Sequence, residues 1–242
     1  VDTKAATECM AAAWDAGVRY YDTAPLYGMG LAEARVNHAL RERPRHEYLL
    51  STKIGRILKR CRPEDVKPRT RYFAAPAREI VSDYSYDGVM RSFEASLERL
   101  GADRIDVLYI HDIDAITHGS AEASEGHIRA LLSTGMKALD ELRRSGVVGA
   151  IGTGLNVWQV AERLVREADL DMVLLAGRYT LLEQEALQSF LPLCVARGVG
   201  VVDDVEFPEV WNVPFSIAKH NVYMYWTHPS LYPCDHMGFR VP

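Results

Sequence analysis

Short apolar runs alternate along this chain with longer stretches in which apolar residues recur every three or four positions. Residues 3–15 carry Ala6, Met10, Ala13 and Trp14 at helical spacing, and Gly17 suits a C-terminal cap. The run 18–21 predicts a strand. GLAEARVNHALRER, closed by Pro44, predicts a helix, and YLLSTK (48–53) a second strand. Ser85 is suited to cap a helix bearing Val89, Phe93, Leu97 and Leu100 that ends at Gly101; IDVLYI (105–110) then predicts a strand. A helical stretch with Ile128, Leu132, Leu139 and Leu142 on one side is expected to be interrupted near Gly135 and to stop at Gly146. Strands at 147–152, 172–176 and from 199, with helices over 157–168 and 184–197, complete the series.

Strict alternation of helix and short apolar strand predicts a parallel sheet built from right-handed crossovers. Six strands fit either an open doubly wound sheet or an eight-stranded barrel. The candidate polar groups fall at the carboxyl ends of consecutive strands, where barrels carry their sites, and this favours the barrel. Two stretches break the pattern. Residues 54–84 have no clean period and hold Arg56, Lys59, Arg60, Arg62, Lys67, Arg69 and Arg71, a solvated basic loop or an attractant for a phosphorylated ligand. Residues 203–242 hold five of the eleven prolines and eight aromatics; VYMYW (222–226) is strand-like, but Pro214, Pro229 and Pro233 around it favour irregular structure.

Composition narrows the function classes. Hydrophobic residues make up 48% and charged residues 25%, as in an ordinary globular protein, and 242 residues suffice for a sizeable core. The net charge of −5 gives a nucleic-acid partner no electrostatic support. No apolar run approaches the roughly 20 residues of a membrane span, and no signal segment opens the chain. Cys9, Cys61, Cys194 and Cys234 are too scattered for a disulfide framework or zinc site, so free thiols in a reducing, cytoplasmic setting are expected. The chain opens on Val1 within a helical stretch, which suggests a fragment.

Four proton-handling groups stand at or just after strand ends: Asp22, Tyr27, Lys53 and His111. Reduction of a carbonyl requires a proton donor and a polar cradle for the developing alkoxide. A phenol with an ordinary pKa near about 10 needs help to serve at neutral pH, and a lysine ammonium supplies it by favouring the phenolate. Asp22 would hold Lys53, and His111 would orient the carbonyl. Each residue also has a plain structural use: a turn cap for Asp22, packing for Tyr27, solvation for Lys53, a histidine beside an apolar run for His111. Gly28-Met29-Gly30 lacks the third glycine of a dinucleotide fingerprint and reads as a turn. HDIDAITH offers His111, Asp112, Asp114 and His118 as metal ligands, but nothing forces them onto one side, so no metal is assigned. The loop of IGTGLN permits close backbone approach to a ligand. Trp14 and Trp158 read as packing residues.

DTAPLYG, STK, LYIHD and IGTGLN resemble the signatures of the aldo-keto reductase superfamily. DYSYDGVMRSFEASLERLGADRIDVLYIHD and LLAGRYTLLEQEAL look closest to its sugar-dehydrogenase branch of D-threo-aldose, L-fucose and pyridoxal 4-dehydrogenase-like enzymes. The resemblance runs from about Ala5 to Val202. It implies a (β/α)8 TIM barrel and a nicotinamide cofactor, NADP or NAD, bound without a Rossmann domain. It also implies that Asp22, Tyr27, Lys53 and His111 are the catalytic tetrad, with Tyr27 as general acid-base. On the cofactor side it implies Asp22 and Asn156, the latter holding the nicotinamide carboxamide. Ala176 stands where the family commonly has a glutamine, as in the sugar-dehydrogenase branch. The barrel is expected to be incomplete. The first strand is missing before residue 5, and DDVEFPEVWNVPF replaces the C-terminal β/α units that carry the pyrophosphate and adenosine loops. Residues 1–202 are thus read as a barrel portion and 203–242 as a divergent segment. The expected function is NAD(P)-dependent oxidation or reduction of a small carbonyl or sugar substrate, with neither nucleic acid nor membrane as partner. The alternative is a truncated, mis-spliced or frameshifted homologue that turns over little, or a non-catalytic, cofactor-sensing interaction barrel.

Overall fold

The computed structural model describes residues 2–67, 72, 74–180 and 182–204, and the backbone of 223–225. In chain order the helices and strands are α1 (Thr3–Asp15), β1 (Tyr20–Asp22), α2 (Leu31–Leu40), β2 (Leu49–Ile54), β3 (Arg56–Arg60), β4 (Arg78–Ser82), α3 (Tyr86–Leu100), β5 (Ile105–His111), α4 (Ala115–His118), α5 (Ala121–Ala130), α6 (Met136–Arg144), β6 (Val148–Leu155), α7 (Trp158–Glu167), β7 (Met172–Ala176), α8 (Phe190–Arg197), β8 (Gly200–Asp204) and β9 (Tyr223–Tyr225). Asp2 caps α1 by accepting from the Ala5 N–H, Ser85 caps α3 by accepting from the Gly88 N–H, and Gly101 closes α3 in the left-handed region.

The main sheet runs β8-β7-β6-β5-β2-β1-β9. Its six strands from β1 to β8 are parallel, each joined to the next by at least one helix, so the expected crossovers are present. Among the described residues the sheet is an incomplete (β/α)8 barrel, with β8 and β9 at opposite ends of the strand order. Side chains alternate with the pleat. One face packs beneath the helices in a core that includes Tyr21, Ile54, Leu108, Ile110, Ile151, Val173 and Leu175. The other, concave face carries a smaller cluster of Val107, Tyr109, Ala150, Met172 and Leu174.

Two aspartates fasten the amino-terminal ends of strands. Asp106 accepts the Leu50 N–H at 2.7 Å and an Arg45 guanidinium N–H at 2.6 Å. Asp171 repeats the device, accepting the Ile151 N–H and an Arg143 N–H, both at 2.8 Å. A third buried acid, Glu33, ties the outer layers by accepting from Thr52 Oγ1 at 2.8 Å and Arg99 Nε at 2.5 Å.

Several expectations are corrected. The aperiodic stretch 54–84 contains an antiparallel hairpin, β3 with β4, while Arg69 and Arg71 of its basic run lie outside the described residues. The helical stretch after His111 is interrupted near Gly135 as expected, but by a wide π turn, Leu131–Gly135, that joins α5 to α6 without a loop. A Cβ on Gly135 would meet the Tyr84 carbonyl oxygen at 2.2 Å, so glycine serves close packing here. Residues 223–225 form a strand antiparallel to β1 where irregular structure was expected, because the neighbouring prolines flank the stretch without entering it. The rest of 205–242 lies outside the described residues. Cys9, Cys61 and Cys194 are free thiols, and Cys234 is not among the described residues. Trp14 lies in the core with the Arg19 guanidinium 3.9 Å from its ring centroid, and Trp158 packs at the core margin.

Candidate active site

The carboxyl ends of β1, β2 and β5 converge. Asp22 ends β1, Lys53 is the penultimate residue of β2, and His111 ends β5; their exposures are 0%, 2% and 3%. Tyr27 opens a tight turn (Tyr27–Gly30) after β1, in which Gly28, Met29 and Gly30 all adopt positive φ. The lone G-x-G is therefore a turn that delivers Tyr27.

The four side chains meet. The Lys53 ammonium donates to Asp22 Oδ2 and, at 3.0 Å, to the Thr23 carbonyl. Ser51 Oγ donates to the other Asp22 oxygen at 2.5 Å. Lys53 Nζ lies 4.8 Å from the Tyr27 ring centroid, and the His111 ring stands edge-on to Tyr27 with centroids 5.8 Å apart. Space for Lys53 comes from β6, where a Cβ on Gly154 would meet Lys53 Cε at 3.3 Å. At Gly152 a Cβ would meet the Tyr109 ring at 2.7 Å and the Met172 carbonyl oxygen at 2.6 Å. Tyr109 in turn shares a 2.9 Å hydrogen bond with Tyr20 across the concave face.

Burial sets the electrostatics. It pushes the Asp22 carboxyl above its ordinary range, against the pull of the Lys53 charge and of the Lys53 and Ser51 hydrogen bonds. Burial, aided by the Arg56 and Lys53 charges, holds His111 well below its usual range, so the imidazole is neutral at pH 7. A neutral ring carries one N–H. Nε2 lies 3.3 Å from Asp112 Oδ2, and a carboxylate there favours the proton on Nε2. His111 Nδ1 is buried with no hydrogen-bond partner among the described residues.

Sequence reasoning did not foresee the groups around His111. Arg56, at the start of β3, donates to Asp112 Oδ2 at 3.0 Å. Tyr84 Oη donates to the His111 carbonyl at 2.6 Å and contacts His118 Nε2 at 3.1 Å. Tyr84 fits because residue 55 is glycine: a Cβ there would fall 2.1 Å from its ring. Of the HDIDAITH residues weighed as metal ligands, Asp114 instead caps α4 through the Thr117 N–H, and His118 stacks on His127. Among the described residues no group of three or more His, Cys, Asp or Glu side chains is arranged to hold a metal ion.

Asn156 stands apart from the four. It follows β6, is exposed, and donates from Nδ2 to the Ala176 carbonyl at 3.0 Å; its Oδ1 makes no hydrogen bond among the described residues. That bond links the carboxyl ends of β6 and β7.

Residues 1–204 match the Aldo/keto reductase family. The chain is 44% identical over 204 residues to a pyridoxal 4-dehydrogenase of Microbacterium luteolum, covering 79% of this chain and 58% of that protein. It is 43% identical over 195 residues to a D-threo-aldose 1-dehydrogenase of a Pseudomonas species, covering 79% and 56%. The chain thus spans little more than half the length of these relatives. Among solved structures, an aldo-keto reductase of Bacillus halodurans in its holo form superposes with a TM-score of 0.63 at 25% identity, over 84% of this chain and 57% of that one. No helix among the described residues is long and apolar enough to cross a membrane. With the family match spanning most of the sequence and the parallel sheet carrying Asp22, Tyr27, Lys53 and His111 at one end, the chain belongs to the aldo/keto reductase family.

Proposed function

We propose that this chain is an NAD(P)-dependent oxidoreductase acting on an aldose or another small aldehyde or alcohol. In this reading residues 1–202 form the barrel portion that carries the chemistry, and 203–242 form a divergent segment. One observation carries the reading: a buried Asp22–Lys53 pair directs its ammonium at the Tyr27 ring while a neutral His111 flanks the same ring. The relatives named above are named for an aldose and for pyridoxal, both carbonyl compounds in their open or oxidised forms, which favours a small carbonyl substrate.

Each residue has a task. Tyr27 gives its phenolic proton to the substrate oxygen during reduction and takes it back during oxidation. Lys53 stabilises the negative charge left on the Tyr27 oxygen, and Asp22 holds Lys53 in place while Ser51 fixes the Asp22 carboxylate. His111 offers its Nε2–H to the reacting oxygen and so orients the carbonyl. The residues present fit a nicotinamide ring. The Asn156 amide oxygen is exposed and able to accept from a carboxamide, and Asp22 lies beneath the same end of the sheet. When bound, the nicotinamide supplies or accepts the hydride. Burial of Asp22, Lys53 and His111 excludes water from their mutual contacts and so strengthens them.

Fluorescence titration with NADPH and NADH, on wild type and Tyr27→Phe, tests the proposal. Quenching in both proteins is expected, with turnover of aldehydes and aldoses in wild type and a loss on the order of a hundredfold or more in the variant. Absence of nucleotide binding up to millimolar concentration would instead make this chain a non-catalytic member of the family.

A further inference from the structure

We propose that Asp112, held by Arg56, is a hydroxyl-binding residue beside His111 that selects carbonyl substrates bearing a hydroxyl on the carbon next to the reacting one. The proposal rests on the oxidoreductase reading above and names its substrate class.

The backbone at Asp112 is unusual. Its φ is 36°, in the left-handed region that aspartate tolerates better than most side chains. Three hydrogen bonds fix it there. The Asp112 N–H donates to the Gly154 carbonyl at 3.0 Å, and Tyr84 Oη reaches the carbonyls of His111 at 2.6 Å and Asp112 at 3.3 Å. This local geometry turns the carboxylate back toward His111 instead of leaving it in solvent.

The carboxylate is only partly used within the protein. Oδ2 accepts from Arg56 and faces His111 Nε2, whereas Oδ1 makes no hydrogen bond among the described residues, and a fifth of the side chain remains exposed. Neighbouring polar atoms are also in excess of their partners. Arg56 is 8% exposed with a buried Nε that has no partner among the described residues, and His111 is 3% exposed with Nδ1 in the same condition. A purely structural ion pair satisfies its polar atoms internally.

The donor and acceptor pattern specifies a ligand. His111 Nε2 and Asp112 Oδ2 lie 3.3 Å apart with no hydrogen bond between them, close enough for the two neighbouring oxygens of a vicinal hydroxy-carbonyl to meet one each. The carbonyl oxygen accepts from His111 while the adjacent hydroxyl donates to Asp112. A plain aldehyde has no such donor, and its oxygen must compete with Asp112 for the imidazole N–H. Burial pushes the Asp112 carboxyl up, while the Arg56 charge and hydrogen bond pull it back down and orient it, which makes Arg56 a positioning residue.

The test compares kcat/KM for 2-hydroxypropanal and propanal in wild type, Asp112→Gly and Asp112→Asn, with NADPH and NADH. Glycine accepts the left-handed backbone and asparagine preserves the shape, so both variants retain the local fold. Wild type is expected to prefer the hydroxy-aldehyde by roughly tenfold to a hundredfold, the worth of one hydrogen bond to a charged group. The ratio should fall toward one in Asp112→Gly and lie between in Asp112→Asn. An equal ratio in all three proteins overturns the proposal. Should no carbonyl turn over, the oxidoreductase reading fails and imidazole 15N NMR of His111 decides alone. Glycerol, but not 1-propanol, should shift the His111 resonances in wild type and leave Asp112→Gly unmoved; no selective shift rejects the subsite.

Discussion

The carboxyl ends of β1, β2 and β5 differ sharply from those of β6, β7 and β8. The first group buries an acid, a base and an imidazole at 0–3% exposure, with Ser51 and Thr23 beneath them. In the second, β6 and β7 end in Leu155 and Ala176, β8 ends on Asp204 one residue after Asp203, and Asn156 is exposed beyond β6. Both groups are built by the same crossover and the same pleat, so the scaffold alone does not dictate charge. Burying Asp22 and Lys53 together is at best neutral against a well-packed apolar pair. Their presence on one side only therefore fits the proposed placing of the chemistry there.

The strongest way to break this contrast is Lys53→Met. Removing the ammonium strands the buried Asp22 charge, at about 3–5 kcal/mol of stability, and turnover should fall with it. Adding Asp22→Asn to Lys53→Met should recover most of the stability in urea denaturation but none of the turnover. Recovery of both would mean that the pair is structural. A smaller effect is expected from Gly152→Ala on the quiet side. Its Cβ would collide with Tyr109 and with the Met172 carbonyl, costing about 1–3 kcal/mol in thermal or urea unfolding. Unchanged stability would show that β6 can yield without disturbing its neighbours.

Most of the sheet was legible in the sequence because its signals are local. Asp22, Lys53 and His111 were placed correctly at strand ends, and their meeting followed from the parallel order. Boundaries shifted where side chains intervened. The strand expected at 18–21 is observed at 20–22, since the Val18 carbonyl is taken by Tyr21 Oη and Arg19. The helix expected from 184 begins at Phe190, which puts Pro192 in the first turn where its missing N–H costs nothing. The β3–β4 hairpin was hidden because charged residues such as Lys59, Arg60 and Arg78 occupy it without alternation. Asp112 was weighed only as a metal ligand, and Arg56 and Tyr84 were not placed beside His111, because the contacts Arg56–Asp112 and Tyr84–His111 join residues about thirty to fifty-five positions apart, a relation that no motif spacing encodes.

The smallest expected effect sharpens the contrast through pH. Burial raises Asp203 from 3.8 to about 6 in the folded protein, so the folded state binds the extra proton. Stability from this group is present below about pH 4 and is lost as pH rises through about 6. His118, near the crowded side, runs the other way: burial and the His127 charge lower it from 6.5 to about 4, so its contribution is present above pH 6.5 and is lost as pH falls through about 4. Melting temperatures between pH 4 and 6.5 should therefore rise more steeply with pH in Asp203→Asn than in wild type, and less steeply in His118→Gln. Parallel curves for all three would remove both assignments.

Asp106 and Asp171 bear on all of this from the far end of the sheet. Each grips an N–H of the neighbouring strand, at Leu50 near the start of β2 and at Ile151 midway along β6. A slip of one residue between parallel strands would turn every side chain to the opposite face. It would send Lys53 into the helix layer and bring Thr52 or Ile54 into its place. The alignment of the proton-handling groups is thus inherited from clamps at the opposite rim of the barrel. Errors in strand pairing there would produce a chain that looks folded from outside and has its chemistry turned inside out.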